Sequence, residues 1–176
     1  MKTFKQLYTS LLISMSLLLI TACGTTAIVE SHPAFAQPGE TNAAKVYFLR
    51  PDIGYRGVMG NAFSISLDGK ELLTLAKGEY ALVYLRPISG TVTVKSSTVV
   101  NQGGMNVMTS VKESQSFSFE AGKKYYVAFR QNQHSWLSGG GVSYIPVLIT
   151  DKSASETANG LKAVGKAAQE PITQRK

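Results

Sequence analysis

Scarcities bound this chain first. A single cysteine in 176 residues, Cys23, makes a disulfide within the chain impossible. Two histidines, His32 and His134, offer no ligand spacing, since a metal site needs clustered soft or hard donors. Neither a metal nor any other cofactor is therefore expected. Charged residues make up only 16% of the chain, and the net charge of +7 falls to +5 once Lys2 and Lys5 are set aside. The remaining basic residues are scattered, or gathered near the C-terminus as Lys162, Lys166, Arg175 and Lys176, without an aromatic-interleaved stripe. That distribution argues against nucleic-acid binding. Nucleotide binding is also disfavoured. Gly160-Leu161-Lys162-Ala163-Val164-Gly165-Lys166-Ala167 imitates a phosphate loop, but Ala167 stands where a Mg²⁺-binding hydroxyl belongs and no buried strand precedes it.

What is present begins with a leader. Lys2 and Lys5 precede an apolar run over residues 11–20 that is too short to span a bilayer, and the small residues Thr21 and Ala22 follow it. Leu19-Ile20-Thr21-Ala22-Cys23 resembles the lipobox of bacterial lipoproteins. The resemblance implies a signal peptide over residues 1–22, cleavage before Cys23, and fatty acylation of Cys23 to anchor the protein in a membrane of the bacterial cell envelope. Gly24 in place of Asp implies outer-membrane sorting facing the periplasm, given a Gram-negative host. Residues 23–43 are the cysteine that the resemblance would acylate and a stretch with Pro33, Pro38 and Gly39 and no sustained apolar period, which predicts a flexible tether averaging about 25 Å.

From Ala44 short β-rich runs alternate with turn residues. The expected strands lie at residues 44–50, 63–67, 70–75, 80–86, 91–94, around Phe117 and Phe119, at 124–131 and at 144–150. Asp68-Gly69 is the strongest hairpin signal, because both residues tolerate positive φ. Pro146 marks its run as an edge strand or a bulge. This spacing predicts an all-β, antiparallel sandwich of about seven or eight strands over residues 44–150. One face of the sheets should be wet, and the inward set should include Phe63, Ile65, Leu67, Val92, Val94, Phe117, Phe119, Val127 and Phe129. Residues 151–176, rich in Ala and Lys, read as a short helix or tail, weakened by Gly160 and Gly165.

Four motifs occur in order: Ala44-Lys45-Val46-Tyr47-Phe48-Leu49-Arg50-Pro51, Ser66-Leu67-Asp68-Gly69-Lys70, Lys77-Gly78-Glu79-Tyr80 and Glu120-Ala121-Gly122-Lys123-Lys124-Tyr125-Tyr126-Val127. Together they resemble the lipoprotein family known as domain of unknown function 2846. The chain departs from that pattern after Tyr84, where Pro87-Ile88-Ser89-Gly90-Thr91 replaces a Pro-Gly-x-His turn, and in a longer insertion between Lys95 and Ser114. The resemblance implies a fold and a location but no activity.

The residues favour a non-enzymatic binding or assembly module, anchored through Cys23, whose partner is an envelope protein or glycan. Two other readings stay open: a small envelope hydrolase using His134 as base, and a structural envelope spacer. If successive strands alternate in direction, the tight turns at Asp68-Gly69, residues 87–90 and residues 120–123 share one end. The tether and its lipid are expected there. Residues 52–61, 76–79, 97–114 and 132–142 then gather at the opposite end, away from the membrane. They carry Tyr55, Arg56, Met59, Met105, Met108, His134 and Trp136. Tyr55, Arg56, His134 and Trp136 are the candidate partner-binding residues, because aromatic and arginine side chains dominate binding hot spots.

Overall fold

A computed structural model of the chain describes residues 26–37, 40–52, 62–133 and 142–173, with residues 98–102 described as backbone only. The fold is all-β, two five-stranded sheets facing one another. In chain order the elements are β1 (Ala27–Ile28), β2 (Ala44–Arg50), β3 (Ala62–Leu67), β4 (Lys70–Ala76), β5 (Glu79–Leu85), β6 (Ile88–Gln102), β7 (Met105–Phe119), β8 (Lys124–Gln133), β9 (Val142–Leu148), the helix α1 (Asp151–Ala158), β10 (Lys162–Val164) and a 3-10 turn, Gly165–Ala168. The first sheet runs β1-β4-β3-β6-β7 and the second β10-β5-β2-β8-β9. Pairing is antiparallel except for β2 with β8 and β10 with β5.

Every residue expected to point inward does so. Phe63, Ile65, Leu67, Val92, Val94, Phe119, Val127 and Phe129 are buried in one cluster between the sheets, and Phe117 packs against it half-buried. A bulge in the β3–β4 pairing, between Ile65 and Ser66, lets the consecutive Leu72 and Leu73 both join this core. The Asp68-Gly69 turn forms with φ of 49° and 78°. The Asp68 carboxylate then accepts from the Thr91 amide at 2.8 Å. A Cβ on Gly90 would meet that carboxylate at 2.5 Å, so Gly90 lies within β6 as the residue that leaves it room. Pro146 sits on β9, an edge strand, where a missing amide hydrogen interrupts no second ladder.

Two expectations are corrected. The first concerns residues 26–37, expected to belong to a free tether, which are laid along the domain instead. β1 pairs with β4, a bridge joins Phe35 to Leu85, the Ala36 amide donates to Tyr84 O at 2.9 Å, and Ala34 and His32 are buried. Backbone hydrogen bonds to two open strand edges hold this segment, together with Ala34 in the core and Ile28 and Phe35 packed against it, contacts too few and too irregularly spaced to show as a period. The second concerns the wet face, which holds for the first sheet but not the second. Outward-facing Tyr47, Leu49, Tyr80, Leu82 and Tyr126 form a second buried cluster under the C-terminal segment, closed by Ala154 and Ala167. That segment is helix only as far as Ala158. Thr150 caps α1 by accepting from the Ser153 amide, and beyond Gly160 the chain turns into β10 beside β5.

Strand directions define two ends. The turn end holds Asp68-Gly69, Pro87 and residues 120–123, and the Gly122 amide donates there to Asn42 O. At the other, loop end stand Arg50, Ala62, Ala76, Glu79, Gln133 and Val142.

Candidate functional site

The loop end is built around a buried cation. Ala44, Val46 and Phe48 face the core, so the period of two turns Arg50 inward as well, at the mouth of the sandwich. It is 6% exposed. Its Nη1 donates to Leu75 O at 2.8 Å and its guanidinium lies 3.8 Å from the Phe63 ring centroid. Desolvation pulls its pKa down to about 10, which leaves it charged at neutral pH. One side chain thus ties β2 to β3 and β4 across the core. Lys77 and Asp52 pair just outside it.

The N-terminal segment is fastened at this same end. Thr26 Oγ1 accepts from the Ala76 amide at 2.9 Å and donates to Glu79 Oε2 at 2.5 Å. Lys162 Nζ lies 3.4 Å from the other Glu79 oxygen, so one carboxylate clasps both the entering and the returning chain. Cys23 precedes Thr26 by three residues, a span of at most about 11 Å. The expectation that the acyl acceptor sits at the turn end is thereby overturned. The first long strand does enter there, but residues 26–37 carry the chain back along the domain beforehand.

Residues 97–114 do not add an independent strand. β6 and β7 pair without a slip from Ile88 opposite Phe119 to Gln102 opposite Met105, and Gly103 and Gly104 turn the hairpin with φ of 59° and 84°. Counted along the pairing, Ser97 stands level with Ala62, Ala76 and Thr26. Residues 98–109 therefore overhang the first sheet's loop end by roughly 17 Å, at 3.3–3.4 Å per residue.

Tyr55, Arg56, Met59, His134 and Trp136, with Cys23, lie outside the described residues. The segments that hold the first five, 53–61 and 134–141, leave from and return to the loop end, as Asp52, Ala62, Gln133 and Val142 fix. Sequence reasoning missed Arg50, which reads as the solvated end of a strand unless its parity with Phe48 is counted. It also missed Glu79 and Thr26, for which no local signal exists.

His32 is buried at the turn end, with Nδ1 accepting from the Ala34 amide at 3.1 Å, and burial lowers its pKa. Its Nε2 has no partner among the described residues. A shallow cavity of about 270 Å³ on the second sheet is lined by Lys124, Tyr125, Tyr126, Leu148, Ile149 and Asp151. Among the described residues no group of three or more His, Cys, Asp or Glu could hold a metal, and no helix is long and apolar enough to cross a membrane. No family model, curated protein or solved structure matches the chain. The resemblance to domain of unknown function 2846 rests on its four motifs alone.

Proposed function

We propose that this chain is a lipid-anchored protein of the bacterial cell envelope, held through acyl chains on Cys23, whose sandwich serves as a non-enzymatic binding or assembly module. In a Gram-negative host it faces the periplasm from the outer membrane. Its partner is an envelope protein or glycan, not a nucleic acid or nucleotide. The observation that carries the reading is the junction of leader and fold. The lipobox-like Leu19 to Cys23 is followed after only Gly24 and Thr25 by a residue pinned into the domain. Acylation would then hold the loop end, with its long connections, beside the bilayer.

Cell fractionation with mass analysis of the mature N-terminus tests the anchor. The native chain should carry acyl groups on Cys23 and sediment with membranes, and Cys23→Ser should appear unprocessed or soluble. A processed Cys23→Ser chain that stays membrane-bound refutes the anchor. Crosslinking in cells tests the partner surface: Arg56→Ala with Trp136→Ala should lose the crosslinked species, and an unchanged pattern removes those residues from it.

A further inference from the structure

We propose that the tip of the β6–β7 hairpin is a second membrane contact, an uncharged wedge that enters the interface of an anionic bilayer next to the acylated cysteine. The proposal rests on the anchor reading for which membrane it meets, and on the fold for everything else.

The tip has the composition that such a contact requires. Residues 98–109 read Thr-Val-Val-Asn-Gln-Gly-Gly-Met-Asn-Val-Met-Thr, with no charged residue. Every residue from Gly103 to Met108 is exposed, Met105 at 70% and Met108 at 62%. Met105 and Val107 continue the inward row of β7, whereas Met108 belongs to the outward row, so apolar groups leave the hairpin on both faces. A flat protein surface would cover one face of the tip, whereas lipid surrounds both; exposed apolar groups as such mark either kind of contact.

Behind the tip the charge changes abruptly. Lys95 and Lys112 stand directly opposite each other in the pairing and are both exposed. Like charges in that position destabilise a hairpin unless an anion lies against them. They sit two residues inside Ser97 and Ser110, which places them behind the wedge at the level of lipid headgroups, where a basic side chain is drawn to an anionic surface.

Geometry supplies the rest. The hairpin leaves the first sheet past the end where Thr26 is fastened, and the acyl acceptor is no more than about 11 Å from Thr26. Between β1 and β6 lie three inter-strand spacings of 4.7–4.9 Å, about 14 Å in all. Lipid and wedge therefore emerge close together from one end. A single apolar insertion holds weakly and reversibly, so the hairpin orients a domain that the acyl chains retain.

The test places an environment-sensitive dye on Met105→Cys, the one free thiol once Cys23 is acylated, in full-length mature protein reconstituted into phosphatidylethanolamine and phosphatidylglycerol vesicles. Its emission should shift to the blue and be quenched by doxyl-labelled lipid, whereas the same dye on Lys123→Cys at the turn end should stay water-like. Val107→Asp with Met108→Asp should abolish the quenching at position 105 and leave the melting temperature unchanged, since both side chains are exposed. Phosphatidylcholine vesicles should weaken it through loss of the anion for Lys95 and Lys112. Water-like emission at position 105 overturns the proposal, as does a dimer that depends on Met105 and Met108 and shows no lipid quenching. Repeating the measurement on Cys23→Ser protein, tethered by an N-terminal histidine tag to nickel-chelating lipid, separates the two readings: quenching there with no acyl group on native Cys23 refutes the anchor alone.

Discussion

The outward faces of the two sheets carry opposite chemistry on the same strand period. On the first sheet, hydroxyl pairs run across β6 and β7: Ser89 with Ser118 at 2.9 Å, Thr91 with Ser116 at 3.3 Å and Thr93 with Ser114 at 2.8 Å. On the second, Tyr47, Leu49, Tyr80, Leu82 and Tyr126 occupy the corresponding outward rows and are buried beneath α1, β10 and the 3-10 turn. Alternation is therefore a report on what covers a strand as well as on its conformation. A strand covered on both sides loses the polar half of its pattern.

Removing one side chain from each face breaks the comparison most sharply. Leu82 is fully buried, so Leu82→Ala should cost about 2–5 kcal/mol in denaturant melts. Thr93→Ala should stay within about 0.5 kcal/mol. Equal costs would show that the cover adds no core. A smaller effect is expected from lifting the cover itself. Ala154 has no exposed surface, and Ala154→Arg should destabilise by about 1–3 kcal/mol and make the chain beyond Thr150 the first site of proteolysis. Protease resistance equal to the native chain would mean that α1 does not seal the second sheet. The smallest effect belongs to Glu170, which accepts from Lys45 Nζ at 2.5 Å and from the Tyr84 hydroxyl, while Tyr47 donates to its carbonyl at 3.0 Å. The Lys45 bond, then the Tyr84 bond, hold its carboxyl below the usual carboxylate range. Its contribution is thus present at neutral pH and lost as pH falls through that lowered value. The group is exposed and screened, so Glu170→Gln should cost under about 1 kcal/mol and flatten the acid limb of the stability curve. An acid limb identical to the native one would remove the clasp from the cover's energetics.

How much was legible follows from the same contrast. The eight long strands announce themselves through side chains, as in Phe63 to Leu67, where the period is complete within one run. β1, the bridge at Phe35 and β10 pair over three residues or fewer, so although Ile28, Phe35 and Val164 pack against the core, Ala27-Ile28 and Lys162-Ala163-Val164 are too short to show a period. The hairpin was half legible: Gly103-Gly104 is a good two-residue turn, but fifteen paired residues on each side exceed an ordinary strand. For the loop end, the direction count placed the ends of the long connections together correctly and put the chain that enters the domain at the wrong end. A segment of 12 residues laid along the domain, where a free tether was expected, accounts for the difference.

The Glu79 clasp also sets the order in which the molecule can be finished. Thr26 is the first described residue and Lys162 is 136 positions later, yet both close on that one carboxylate. The central β2 likewise waits for β8, with Lys45 opposite Lys124. Contacts this distant along the chain make folding slow, because their loop entropy is spent before they return anything. In a chain threaded N-terminus first across a membrane, the stretch beside Cys23 thus emerges long before the strand that completes its clasp. If the chain is exported as proposed, the clasp at Glu79 stays open for as long as the C-terminal segment is still in transit.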